Sequence, residues 1–137
     1  MLERARAVEP IMVGLPIPAR RTLADGLVCA IGTSSAAPIL DLDDSDAQIA
    51  DFLVRVVHSD SGFVARTSSS ARAMAIMAAT VAALCGEDIR EALRAPDTSF
   101  LRSLKPPAVE AVRAVLRAIE TDDTERMSDA VHTLVGT

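Results

Sequence analysis

The stretch FLVRVVHSDSGFVART, Phe52 to Thr67, decides how this chain folds. Two periods are written into it. Ile49, Phe52, Leu53, Val56 and Val57 recur at the spacing that puts apolar groups on one face of a helix starting near Asp46. From Phe52 onward the residues also alternate, with Phe52, Val54 and Val56 against Arg55, as in a half-buried strand. HSDSG then has turn composition, and FVART resumes a β-like run behind Gly62. Two β-rich runs around a Ser/Asp/Gly turn signal a hairpin, and the hairpin is the expectation carried forward.

Towards the C-terminus the pattern is helical. TSSSARAMAIMAATVAALCG reads as a helix capped by Ser68, Ser69 or Ser70 and closed at Gly86. It is apolar nearly all round, so it belongs at the centre of the molecule. EDIREALR is a short amphipathic helix, and DTSFLRSL is another, capped by Asp97. PPAVEAVRAVLRAIE opens with Pro107 at the start of a helix. Val109, Val112, Leu116 and Ile119 form its inner face, and Glu110, Arg113, Arg117 and Glu120 its wet face. A last helix covers about 124–134.

Towards the N-terminus the signals are shorter. DLDDSDAQIADF suggests a calcium loop, but counting from Asp41 puts Asp46 where such a loop needs Gly and Phe52 where it needs Glu. Asp43, Asp44 and Asp46 read instead as a helix N-cap cluster. LVCAI, Leu27 to Ile31, fits the end of a helix from Ala19 or a strand. IMVGLPIP is a Pro-punctuated connector behind a short helix at residues 2–9. The expected fold is α+β and helix-dominated, with a small antiparallel sheet packed on the central buried helix. An all-α bundle is the alternative. The length suits a single domain over 1–137.

Composition narrows the function classes. Half the residues are apolar, Trp and Tyr are absent, and the net charge is −5. Nucleic-acid binding needs basic patches and usually stacking platforms, so it is not expected. The longest strongly apolar run, Ala73 to Cys85, is too short to span a bilayer, and the N-terminus lacks an uninterrupted apolar leader segment. A cytoplasmic location follows as an expectation, with no membrane partner. Cys29 and Cys85 have no metal-ligand spacing, so neither a metal nor a cofactor is expected. No GxSxG or phosphate-loop motif is present. His58 with Ser59 or Ser61 reads as a solvated turn. Ser68 to Ser70, flanked by Arg66 and Arg72 at a helix N-terminus, have the makeup of an anion site, although capping alone accounts for the serines.

Taken in order, the second half reads strand, Ser/Asp/Gly turn, strand, Ser-capped buried helix, GEDIREAL, FLRSL and a Pro-opened helix. Over roughly residues 50–120 this order resembles the SufE-type sulfur acceptors and the related IscU/NifU-type iron–sulfur scaffolds. Gly86 to Leu93 is the closest local match, and Asp51 falls where the scaffolds place an Asp beside a cysteine. DSDAQIADFLVRVV also looks like the central helix of a SufE-type protein, with LVCAI and ILDLD as the hairpin before it. The thiols that the family would need before the first strand, the central helix and the last helix are replaced by Gln48 to Asp51, Thr67 to Ser70 and Lys105 to Pro107. A hydroxyl does not replace a thiolate as persulfide carrier or soft-metal ligand. The resemblance therefore implies a non-catalytic protein that binds a cysteine desulfurase or another sulfur-pathway partner. The candidate binding residues are Asp51, from the resemblance, and Arg66, Ser68 and Arg72, from the makeup of an anion site. The alternatives are a helical homo-oligomeric interaction protein, and a small enzyme or sulfur carrier using Cys29.

Overall fold

The computed structural model describes residues 22–33 and 37–136; the N-terminal helix and connector expected from the sequence lie outside them. The helical period wins over Phe52 to Val56. Helix α1 spans Asp46–Val56 and buries Ile49, Leu53 and Val56. Its start is fixed by a capping box. The Gln48 N–H donates to Ser45 Oγ at 3.2 Å, and the Ser45 N–H donates to Gln48 Oε1 at 3.2 Å. The cap is thus Ser45, with Asp46 in the first turn where the dipole favours an anion. Replacing Ser45 by alanine should destabilise the fold by about 1 kcal/mol. Thermal denaturation should show this as a Tm lower by about 4 °C.

Four strands form one sheet: β1 (Val28–Ala30), β2 (Ile39–Asp41), β3 (Phe63–Arg66) and β4 (Leu116–Thr121), in the order β1-β4-β3-β2. All three pairings are parallel. This corrects the expected antiparallel sheet. Residues 52–56 belong to α1, so Phe63 to Arg66 have no hairpin partner and pair with both β2 and β4. A parallel neighbour requires a crossover, and α1 supplies the one between β2 and β3. Phe52 and Phe63 still meet, but as helix against strand, edge to face with ring centroids 5.4 Å apart. Phe63, Val64 and Ala65 are all buried, as expected for an inner parallel strand. The second hairpin register fails as well, because β1 and β2 stand at opposite edges of the sheet. The all-α alternative is overturned by the sheet itself.

Between β3 and β4 run α2 (Ser70–Cys85), α3 (Ile89–Arg94), α4 (Thr98–Arg102) and α5 (Pro106–Val115). α6 (Thr124–Val131) follows β4 and passes into a π-helical turn over His132–Gly136. α2 is the central helix, buried from Ala73 to Ala82, and it touches α1, α3, α4, α5 and α6. These helices therefore form one layer. Right-handed crossovers put α1 and α2 on the same side of the sheet. Leu40, Ala65 and Ile119 join the helices in the hydrophobic core, whereas Val64 is buried apart from that cluster. By alternation, Asp41, Arg66 and Glu120 share the Val64 side, away from the helix layer.

The helix expected over 107–120 stops at Val115, and Leu116 to Thr121 is β4. Glu120, read as part of a wet face, is fully buried. Arg113 is buried too, and its guanidinium donates to the Asp25 carbonyl at 2.6 Å, tying α5 to the turn before β1. Among the described residues, no helix is long and apolar enough to cross a membrane.

Candidate functional site

Open parallel sheets bind ligands outside the carboxyl ends of their strands. That end of this sheet carries one row of polar side chains. In register, Asp41 of β2 stands beside Arg66 of β3, Arg66 beside Glu120 of β4, and Glu120 beside Cys29 of β1. Arg66 donates to Glu120 Oε1 through NH2 at 2.8 Å and through Nε at 3.2 Å. The Glu120 side chain is fully buried, and that of Arg66 is 37% exposed.

The residues after β3 extend this network. The Ser69 N–H donates to Thr67 Oγ1 at 3.0 Å, and Ser69 Oγ accepts from the Arg72 N–H at 3.2 Å, capping α2. Ser68 Oγ donates to Asp122 at 3.0 Å. The Arg72 guanidinium donates to the Leu42 carbonyl at 3.2 Å and to Asp46 at 3.1 Å. Arg126 donates to the Ser68 carbonyl at 3.0 Å and pairs with Asp123 at 3.5 Å. Arg66, Ser68 and Arg72 each bind the protein's own groups: Arg66 holds Glu120, Ser68 holds Asp122, and Arg72 holds Leu42 and Asp46. The network joins the ends of β2, β3 and β4 to the starts of α1, α2 and α6.

The other candidates are scattered. Asp51 is on the exposed side of α1, away from the strand ends. Cys29 is half-buried in β1 and Cys85 is exposed at the end of α2, and no disulfide joins them. Ser59 and Ser61 hydrogen-bond to each other at 3.2 Å, and Ser59 also donates to the Val56 carbonyl at 2.9 Å, with no bond to His58. His132 sits after α6, with Nδ1 2.8 Å from the Ser128 carbonyl and Nε2 3.6 Å from Asp25. A hydrogen bond from the Thr22 N–H is the main cause holding the Asp25 carboxyl below its ordinary value. Among the described residues, no cluster of His, Cys, Asp and Glu is placed to hold a metal ion.

Glu120, Asp122, Asp46 and Arg126 complete the network, and the sequence did not single them out for it. Arg66 and Glu120 lie 54 positions apart, so no local spacing announces the pair.

A different feature lies on the far side of the helix layer. α2 ends in a Schellman closure at Gly86, whose φ is 71°. The Glu87 N–H donates to the Ala82 carbonyl at 2.8 Å, and the Gly86 N–H to the Ala83 carbonyl at 3.4 Å. This turn sends the chain back along α2 as α3 and α4. Asp88 caps α3 by accepting from the Glu91 N–H at 3.0 Å, and Asp97 caps α4 by accepting from the Phe100 N–H at 3.0 Å. Between the three helices runs a groove of about 470 Å³. Its floor is small and apolar, with Ala78, Val81 and Ala82 from α2, Ala92 from α3 and Leu101 from α4. The side chain of Phe100, a residue left 48% exposed, stands on its lip. Glu87, Asp88, Glu91 and Asp97 line its rim.

Comparisons with known proteins found no family model, no curated protein and no solved structure that matches this chain.

Proposed function

We propose that the chain is a non-catalytic binding module that docks another protein in the groove between α2, α3 and α4. One observation carries this reading: an apolar groove with a half-exposed phenylalanine on its lip, of the size of ligand clefts, which run to roughly 300–1,000 Å³. A large aromatic at the edge of a small-residue trough is the kind of group that anchors protein interfaces. The polar side chains at the strand ends are engaged with one another, which favours a structural role for them over chemistry on a substrate. A cysteine desulfurase is not the partner proposed, because the hairpin that suggested it is replaced by α1.

The test is affinity capture from extract of the source cells with three forms of the tagged chain. One is unaltered, one carries Phe100→Ala with Ala95→Arg in the groove, and one carries Val54→Ser. Val54 is 53% exposed on α1 and serves as the control. The unaltered chain and the Val54 variant should retain the same partner, and the groove variant should lose it by at least about tenfold, as removal of a buried anchor does. A chain that captures nothing, or captures the same proteins whether or not the groove is altered, contradicts the reading.

A further inference from the structure

Resting on the docking reading, we infer that the occupant of this groove is a basic amphipathic helix of another protein. The charge of the rim gives the first reason. Glu91 pairs with Arg94 at 2.6 Å. Glu87, Asp88 and Asp97 make no ion pair among the described residues; Glu87 and Asp88 stand before α3, and Asp97 caps α4. Capping occupies one oxygen of Asp88 and one of Asp97 but leaves their charge in place. A partner with Lys or Arg beside its apolar stripe meets carboxylates at both ends of the trough.

The shape gives the second reason. Among the described residues, the groove is bounded by three helices and no strand edge lines it. An extended peptide laid there would find no ladder for its backbone N–H and C=O groups, whereas a helix satisfies its own. The alanines of the floor leave room for longer apolar side chains from the occupant, which would pack beside Phe100.

Among the described residues, neither α1 nor α6 of a second copy supplies the complement. α1 exposes Asp51 beside Arg55, α6 exposes Glu125 and Asp129 beside Arg126, and the chain as a whole carries a net charge of −5.

The probe is a synthetic amphipathic helix of leucine and lysine, roughly 15 residues long so that helix formation is attainable. Its counterpart has every lysine replaced by glutamate. Binding to the whole chain is read by fluorescence anisotropy, and the site by amide chemical-shift changes. The lysine helix should bind with a Kd on the order of 10 μM. Its shift changes should be confined to the second half of α2, α3 and α4. Raising the salt from about 0.05 M to about 0.3 M should weaken it several-fold, because rim charges are screened. The triple variant Glu87→Gln, Asp88→Asn, Asp97→Asn keeps both caps able to accept and removes three charges; it should bind the lysine helix about tenfold more weakly.

If the glutamate helix binds as well, or the triple variant binds the lysine helix unchanged, the basic character is wrong while docking stands. If neither helix shifts the groove, yet the extract partner is lost in the Phe100 variant, the helix inference falls alone. If extract capture is also indifferent to the groove, the docking reading falls with it.

Discussion

Replacing Gly62 by alanine should cause the largest loss of stability of any alanine placed at Gly26, Gly32, Gly62 or Gly86, about 3–4 kcal/mol. Two effects add. Gly62 has φ +65°, a conformation that costs a side-chain-bearing residue about 1–2 kcal/mol. A Cβ there would also stand 2.7 Å from the Val115 carbonyl oxygen and 2.8 Å from that of Ala114, both backbone atoms, and 2.6 Å from Arg117 Nε. The arginine can swing away, but the carbonyls cannot move without displacing the junction of α5 and β4. Forced overpacking of this kind costs about 1–3 kcal/mol. For a domain of this size the Tm should fall by about 12–16 °C. Gly26 supplies the control: its φ is +66°, but a Cβ there meets nothing within 4 Å. Gly26→Ala should cost only the backbone part, about 1 kcal/mol. Equal losses at both positions would mean that β3 does not enter the sheet against the end of α5.

The second large effect is expected at the ion pair in the row of strand ends. Arg66→Met leaves the buried Glu120 carboxylate without the two hydrogen bonds that Arg66 donates. Breaking a buried pair from one side costs about 3–5 kcal/mol. The Arg66 side chain is 37% exposed, so water replaces part of the interaction and the lower end, about 3 kcal/mol, is expected. Glu120→Gln removes the charge and keeps an acceptor; it should cost about 1–2 kcal/mol. The two together should cost less than their sum by about 1–2 kcal/mol, because both single changes disturb the same ion pair. Denaturant titrations of the four proteins measure this coupling. Strict additivity would show that the two side chains do not interact.

What the sequence made legible, and what it did not, follows from the reach of each signal. Local chemistry was readable. The serine cap and Gly86 closure of α2, the Asp97 cap of α4 and the proline-opened α5 are all set by residues within a few positions of one another. Sheet direction was not. β1 and β2 are three residues each, too short to show alternation, and their neighbours in the sheet come from distant parts of the chain. The stretch from Phe52 to Val56 satisfied both periods, and tertiary context chose between them. A helix there buries Ile49, Leu53 and Val56 together, and the capping box at Ser45 favours its start. An indication of a parallel sheet was present in the order ILD, amphipathic stretch, FVAR, which is a strand–helix–strand unit. The hairpin expectation followed the Ser/Asp/Gly turn and passed over that unit.

The end of α5 was misread for a related reason. Leu116 and Ile119 continue the helical spacing of Val109 and Val112, so the helix appeared to run on to Glu120. The β-branched Ile119 and Thr121, followed by Asp122 and Asp123, mark the strand and its turn in hindsight. Of the candidate site residues, Arg66, Ser68 and Arg72 stand out in the sequence because arginines beside a serine cap are conspicuous. Their carboxylate partners lie on other strands and helices. The groove was not visible as a site in the sequence. Its parts were identified separately, as a buried helix, an amphipathic helix and a capped turn, and only packing brings them around a common trough.

The parallel sheet underlies both the clamped row of strand ends and the placement of the helices that form the groove. Its most direct test is a map of nuclear Overhauser contacts across residues 39–67 and 116–121 in solution. Helical contacts should run unbroken through Asp46–Val56, and the backbone of Phe63–Arg66 should contact Ile39–Asp41 on one side and Leu116–Glu120 on the other. Cross-strand contacts between residues 52–57 and 63–67 would restore the hairpin and contradict the fold described above.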